Sequence, residues 1–350
     1  MALASYLDEC RAAVLHELQM MLPPDSSHTG GLYKLMLEYP LRHGKALRPA
    51  LSIAVCRACG GYPAAILPTA AVLELYHNAF LVHDDVEDQS DMRRSEPTLF
   101  RKYGTPIAVN VGDGMLAMAI QPLLDNIERV GLGKALKILQ IVSRMARETA
   151  EGQMIELDWV RAANWMHGNG DYIRLVYKKS AWYTFIAPIM AGAVAAGLSD
   201  TEVSRLGRIT IPLGIAFQIQ DDILNISSSE DSYGKDFCGD LWEGKHTLIL
   251  IHALRCSMPS ERSKALAILR RPQTATVRSG EQLNTKSEDE VAFLLEIIER
   301  SGSVSYAKMI AQRYANRFKR DLQRTSRSWA PSIHKDFLFE LADYTIDRTN

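Results

Sequence analysis

What the 350 residues lack narrows the possibilities first. Neither sign of charge is in excess: Lys and Arg total 40, Asp and Glu 41, and the formal net charge is −1. No overall field therefore draws the chain to nucleic acid or to an anionic membrane, and any anion site has to be built locally. Cysteine is scarce and odd in number, at positions 10, 56, 59, 238 and 256, which suits a reducing compartment and excludes an even disulfide framework. Cys56 and Cys59 form a lone CxxC with no second ligand pair, so two small residues on a helix is preferred to zinc or redox chemistry. Alternating apolar and polar runs with hairpin turns are nearly missing, and strands are not expected. No charged-then-apolar leader opens the chain, because Asp8, Glu9, Arg11, His16 and Glu17 interrupt the first 22 residues; a cytoplasmic protein is expected. The longest uncharged stretch, 180–199, is long enough to raise the question of a membrane span. Its small residues and charged flanks fit a helix buried in a bundle instead, without stable membrane insertion.

What is present is helix-forming. At 47% hydrophobic composition the chain can bury a large core. Leu73, Tyr76, Phe80 and Leu81 recur at helical spacing, as do Leu139, Val142, Met145 and Ala146, and again Val304, Ala307, Ala311, Tyr314, Ala315 and Phe318. Between the stripes stand Pro23-Pro24, Gly60-Gly61, Gly104 to Pro106, Gly131 to Gly133, Gly168 to Gly170 and Ser228 to Gly234, which read as short connections. None is rich enough to be an interdomain linker. The pattern predicts an all-α fold, one large helical bundle spanning 1–350, with the polar stretch 271–290 as a mobile loop.

Two acidic clusters carry the chemistry. The first ends an apolar helical run: Phe80, Leu81, Val82, His83, Asp84, Asp85, Val86, Glu87, Asp88. Asp84 and Asp88 stand one helical turn apart on one face, and Asp85 lies three residues before Asp88. Carboxylates so close repel unless a cation sits between them, and oxygen-only donors suit Mg²⁺ bridged to phosphate at roughly 2 Å. A solvated acidic turn is the plainer alternative for one such cluster. The second cluster, Phe217, Gln218, Ile219, Gln220, Asp221, Asp222, Ile223, Leu224, Asn225, again ends an apolar run. Two such clusters facing one cavity can hold several ions, which one cannot. Cations lie near both: Lys45 and Arg48, Arg93 and Arg94, Lys178 and Lys179, Lys235 and Lys245. A diphosphate of about three negative charges needs such donors beyond metal. Singly, each would read as a surface charge.

The stretches His43-Gly44-Lys45-Ala46-Leu47-Arg48-Pro49, Asp84 to Asp88 with Arg93-Arg94, Phe217-Gln218 with Asp221-Asp222, and Gly234-Lys235-Asp236 with Asp240-Leu241 and Gly244-Lys245 resemble, in order, the trans-isoprenyl diphosphate synthase family. Gly112-Asp113, Gly152-Gln153 and the terminal Leu341-Ala342-Asp343-Tyr344 with Arg348 extend the resemblance over nearly the whole chain. It implies that Asp84, Asp85, Asp88, Asp221 and Asp222 hold magnesium, about three ions with substrate bound, on an allylic diphosphate. Arg93, Lys179, Ser180, Gln218, Lys235 and Lys245 would assist. Gly44, Lys45, Arg48, His77 and Arg94 match positions that bind isopentenyl diphosphate, and a homodimer is expected. His77 precedes Asp84 by seven residues and so shares its helical face, consistent with a common cavity. The sequence departs from the family pattern at Asn225 (usually Asp), at Ser180 (usually Thr), and at His43 and Ala46.

The implied reaction needs no protein nucleophile: the allylic carbon–oxygen bond ionises, the isopentenyl double bond attacks, and released pyrophosphate takes the proton. Product length would depend on Ala79 and Phe80, five and four residues before Asp84. One methyl and one ring suggest geranylgeranyl diphosphate first and farnesyl diphosphate second. A class I terpene cyclase would have no use for Lys45, Arg48 and His77, and a non-catalytic partner subunit could tolerate the loss of an acidic cluster.

Overall fold

The computed structural model describes residues 3–42, 44–227, 238–271 and 285–348. His43, Gly234, Lys235 and Asp236 lie outside the described residues, as do 272–284 of the expected loop. The chain forms two compact units, one of residues 1–147, 182–211 and 318–344, the other of 148–181, 212–317 and 345–350. Both are helical, as the periodicity predicts.

The first unit is organised around a 25-residue helix, Pro63–Glu87 (α4). Proline in its first turn costs no hydrogen bond, because those amides have no intrahelical acceptor. Helices Leu3–Met21 (α1), Leu47–Ala58 (α3), Thr105–Met118 (α6), Ile120–Val130 (α7) and Ala187–Ala196 (α10) pack against it. It is consequently buried almost all round, at Ile66, Ala70, Val72, Leu73, Leu75, Ala79 and Val82, and not only along the predicted stripe. Helices Leu32–Leu41 (α2) and Leu99–Tyr103 (α5) complete this part of the unit. Two long helices, Leu132–Ala162 (α8) and Asp200–Ser227 (α11), begin in the first unit and end in the second.

The long uncharged stretch supplies α10, whose residues are nearly all buried against α3. A Cβ added at Gly192 would lie 2.3 Å from the Ser52 carbonyl, so a glycine is what permits this crossing. Among the described residues two other segments are long and apolar enough to cross a membrane: Pro63–Glu87, with 72% of an apolar 18-residue window buried inside the protein, and Thr105–Val130, with 33% of such a window buried.

Against the expectation of no strands, Met92–Arg93 (β1) and Glu96–Pro97 (β2) pair antiparallel, Arg93 opposite Glu96. The turn between them holds Arg94 at φ 55° and Ser95 at φ 61°, the left-handed conformations of a tight hairpin. Neither residue is Gly or Asn, so no turn signal marks it. The Arg42 guanidinium holds it from outside, donating to the carbonyls of Arg93 (3.1 Å) and Pro97 (2.9 Å).

The second unit centres on Leu248–Cys256 (α13), packed on Asn169–Val176 (α9), Pro259–Leu269 (α14) and Glu288–Arg300 (α15). Its core holds Leu248, Ile249, Leu250, Leu254, Ile268, Leu294 and Ile297. Helix α15 begins inside the polar stretch expected to be loop. Ser287 accepts from the Glu290 amide (3.3 Å) while the Glu290 carboxylate accepts from the Ser287 amide (3.0 Å), a capping box that the polarity of the segment hid.

Candidate active site

In the first unit, α4 delivers the first acidic cluster at its C-terminal end, where Asp88 caps the helix. Helical spacing then separates neighbours of identical chemistry. Asp84 and Asp88 are partly exposed, whereas Asp85 turns inward with 1% of its side chain accessible. One Asp85 oxygen accepts from Arg93 Nε at 2.8 Å and from the second guanidinium nitrogen, and the other accepts from the Tyr39 hydroxyl at 2.6 Å. Arg93 also reaches to within 3.6 Å of Asp84. Tyr39, near the end of α2, had no signal in the sequence beyond helical periodicity.

The hairpin sends its two adjacent arginines to different partners. Arg93 goes to the acids, and Arg94 donates to the Tyr39 carbonyl (2.9 Å). A Cβ on Gly44 would stand 2.8 Å from the Arg94 guanidinium carbon, so the bare glycine makes room for that charge. Arg48 donates to Thr184 Oγ1 (2.8 Å) and lies 4.3 Å over the Tyr183 ring. His77 and Phe80 meet the same ring, with centroids 5.9 and 5.8 Å away.

Gly44, Arg48, His77 and Arg94 are therefore gathered around one place. Burial holds His77 well below the ordinary imidazole value, and the nearby positive charges of Arg48, Arg94 and Arg93 lower it further. A neutral imidazole beside three guanidiniums is a setting for an anion. Lys45 stands somewhat apart, with its ammonium 5.3 Å over the Tyr344 ring. Ala79 is fully buried, and Phe80 packs between Tyr76 and Tyr183. Tyr183 is the residue sequence reasoning missed here.

The second unit carries a chain of hydrogen bonds. Ser180 Oγ donates to Gln218 Oε1 (2.7 Å), Gln218 Nε2 donates to Asp222 Oδ1 (2.9 Å), and the buried Tyr172 hydroxyl donates to Asp222 Oδ2 (2.7 Å). Asp222 is pushed well above the carboxylate range, first by burial and then by the negative charge of Asp240, with a smaller contribution from Asp221. Arg348 donates to Asp221 (2.7 Å) and to the Phe217 carbonyl (2.9 Å), its guanidinium stacked 3.9 Å from the Phe217 ring.

Lys179 pairs with Glu156, and Lys245 with Glu243 at 2.5 Å. The Lys179 backbone is so close to Gly152 that a Cβ there would fall 2.3 Å from the Lys179 nitrogen. Asn225 accepts from the Asp240 amide through its side chain (3.2 Å) and from the Cys238 amide through its carbonyl (3.2 Å). It thus ties down the start of Gly239–Glu243 (α12) without adding a charge beside Asp222 and Asp240.

Magnesium fits part of this set. Among the described residues no three His, Cys, Asp or Glu side chains converge as a ready-made cage. The acids come in pairs, Asp84 with Asp88 and Asp221 with Asp222, which suits an ion completed by phosphate oxygens and water. Burial is the main cause of the raised Asp222, and the negative charges of Asp240 and Asp221 add to it, a repulsion that a cation would relieve. Asp85 fits poorly as a ligand, because the buried Arg93 guanidinium already neutralises it, whereas among the described residues both Asp222 oxygens accept only from the neutral Gln218 and Tyr172 and leave its charge for a cation.

The sequence profile of the polyprenyl synthetase family matches residues 31–285. A short chain isoprenyl diphosphate synthase of Methanothermobacter thermautotrophicus is 31% identical over 305 residues, covering 87% of this chain and 86% of that one. A geranylgeranyl diphosphate synthase of Methanosarcina mazei is 30% identical over 336 residues, covering 96% and 94%. Among solved structures, a polyprenyl synthase from Caulobacter crescentus, crystallised with calcium and isoprenyl diphosphate, superposes with a TM-score of 0.82 at 27% identity over 99% of this chain and 97% of that one. With its helical architecture, its paired aspartates and a family match over most of its length, the chain belongs to the polyprenyl synthetase family and is a prenyltransferase.

Proposed function

We propose that this prenyltransferase condenses an allylic diphosphate with isopentenyl diphosphate and releases pyrophosphate, and that its main product is geranylgeranyl diphosphate. The observation that carries the reading is the cluster of the Arg48 and Arg94 guanidiniums with the neutral His77 beside Gly44, next to an acidic helix end. A terpene cyclase binds one diphosphate and has no use for this second anion site.

In this reading Arg48, Arg94 and His77 bind isopentenyl diphosphate, with Lys45 at the edge. Asp84, Asp88, Asp221 and Asp222 would hold magnesium, about three ions with substrate present, which would neutralise the leaving diphosphate. Arg93, Lys179, Lys235 and Lys245 offset the remaining negative charge, and Ser180 and Gln218 fix the orientation of Asp222. The aromatic rings of Phe80 and Tyr183 keep water from the allylic cation. The departing pyrophosphate takes the proton, so no side chain is required as a base.

Phe80 and Ala79 set the product: one ring shortens the path and one methyl leaves it open. Both units serve one catalytic domain, and the protein acts as a cytoplasmic homodimer. The surface best suited to a second copy is the sparsely buried Thr105–Val130 segment, where Ile107, Val109, Ile120, Leu124 and Ile127 are exposed. Incubation of the purified protein with Mg²⁺, isopentenyl diphosphate and each allylic primer, followed by chromatographic sizing, tests the reading. Condensation ending at geranylgeranyl diphosphate is expected, and absence of condensation with every primer would refute it.

A further inference from the structure

Tyr39 occupies a position that the proposed chemistry does not by itself require. It is wholly buried. Its hydroxyl donates to Asp85 (2.6 Å) and accepts from the Leu99 amide (3.1 Å), its ring lies under the Arg42 guanidinium at 4.4 Å, and its carbonyl accepts from Arg94 (2.9 Å). The residue therefore touches both arms of the hairpin arginine pair, the side chain reaching Arg93 through Asp85 and the main chain reaching Arg94 directly.

That hairpin needs outside support. Arg94 and Ser95 sit in left-handed backbone conformations that a side chain disfavours, and a two-residue strand pairing is too short to impose them. Asp85 in turn has no room to act on solvent or ligand, being closed on one side by Arg93 and on the other by Tyr39.

Resting on the functional reading above, we infer that Tyr39 is a positioning residue: its hydroxyl fixes the Asp85 carboxylate, which orients the Arg93 guanidinium toward the allylic diphosphate. Tyr39 touches neither substrate. The two arms make the inference separable, because Tyr39→Phe deletes the hydroxyl and leaves the carbonyl that Arg94 uses. The side chain acts on the allylic half and the main chain on the isopentenyl half.

The test is steady-state kinetics of Tyr39→Phe, Asp85→Asn and the double variant, with each substrate varied in turn and folding followed by circular dichroism. One hydrogen bond to a buried carboxylate is worth about 10-fold to 100-fold. Tyr39→Phe is expected to lower kcat/KM for the allylic diphosphate by that factor while changing the isopentenyl KM by less than about twofold. In the Asp85→Asn background, the same substitution is expected to cost less than about a further twofold, because the group it acts through is gone. A purely structural tyrosine would raise both KM values together, or give effects that multiply in the double variant; either result overturns the inference while wild-type condensation still stands. Failure of the wild type to condense any primer would overturn the functional reading, and this inference with it.

Discussion

Asp84 and Asp85 are adjacent, identical in chemistry and indistinguishable by composition, yet their environments predict opposite consequences for Asp→Asn. Asp85 is 1% accessible, paired with the buried Arg93 and hydrogen-bonded to Tyr39. Neutralising one member of a buried pair leaves the other charge uncompensated in low dielectric, which costs about 3–5 kcal/mol. Asp84 has 22% of its side chain accessible and meets Arg93 only at 3.6 Å. Removing its charge weakens a partly solvated pair and relieves repulsion from its neighbours, so the net effect on folding is under about 1 kcal/mol. Asp85→Asn should therefore lower the urea midpoint strongly, whereas Asp84→Asn should leave it nearly unchanged and remove most Mg²⁺-dependent turnover. The assay is urea unfolding at neutral pH followed by tryptophan fluorescence, beside product formation for both variants. Equal midpoints for the two variants, or a stable and inactive Asp85→Asn beside an active Asp84→Asn, would refute the division of labour.

Gly44→Ala brings a methyl within 2.8–3.0 Å of the Arg94 guanidinium, the far end of a flexible side chain. A several-fold rise in isopentenyl KM with little loss of stability is expected, and an unchanged KM would remove Arg94 from that site. Phe80→Ala opens the space beside Tyr76 and Tyr183 and should shift products to longer chains by chromatography; an unaltered distribution would show that other residues close the path. His246 is buried, stacked 3.7 Å from Trp165 and bonded to the Asn164 carbonyl (3.0 Å), and burial lowers it to about 4. The folded state thus takes up its proton later than the unfolded state, whose imidazole titrates near ~6.5. The stability His246 contributes is complete above that value and lost as pH falls toward 4, by about 2 kcal/mol between about pH 7 and pH 5. Between those two pH values, urea unfolding should show the wild type losing more stability than His246→Gln by this amount, and equal pH dependence would contradict it.

The acidic clusters, the cations around them and the all-α architecture were legible because each leaves a local periodic trace: an apolar run, then carboxylates at helical spacing. The hairpin at 92–97 left none, because its turn residues are Arg94 and Ser95 and its support is Arg42, 51 residues before Arg93 in the chain. Tyr172, Tyr183 and Glu156 were silent for the same reason, since each gains its meaning from a partner far away in sequence. The capping box at Ser287 and Glu290 was present in the sequence but masked by the polarity of its surroundings.

The sequence by itself determined that helices form, where the apolar runs end in paired acids, and that basic residues accompany them, because charge, spacing and propensity act along the chain. Only the tertiary structure decided which of these groups are buried and what each one touches. Asp85 is buried and Asp84 partly exposed because Tyr39 of α2 and Arg93 of the hairpin close over one side of the helix end. Burial and the desolvation that comes with it are properties of the packed neighbours, and no residue carries them alone.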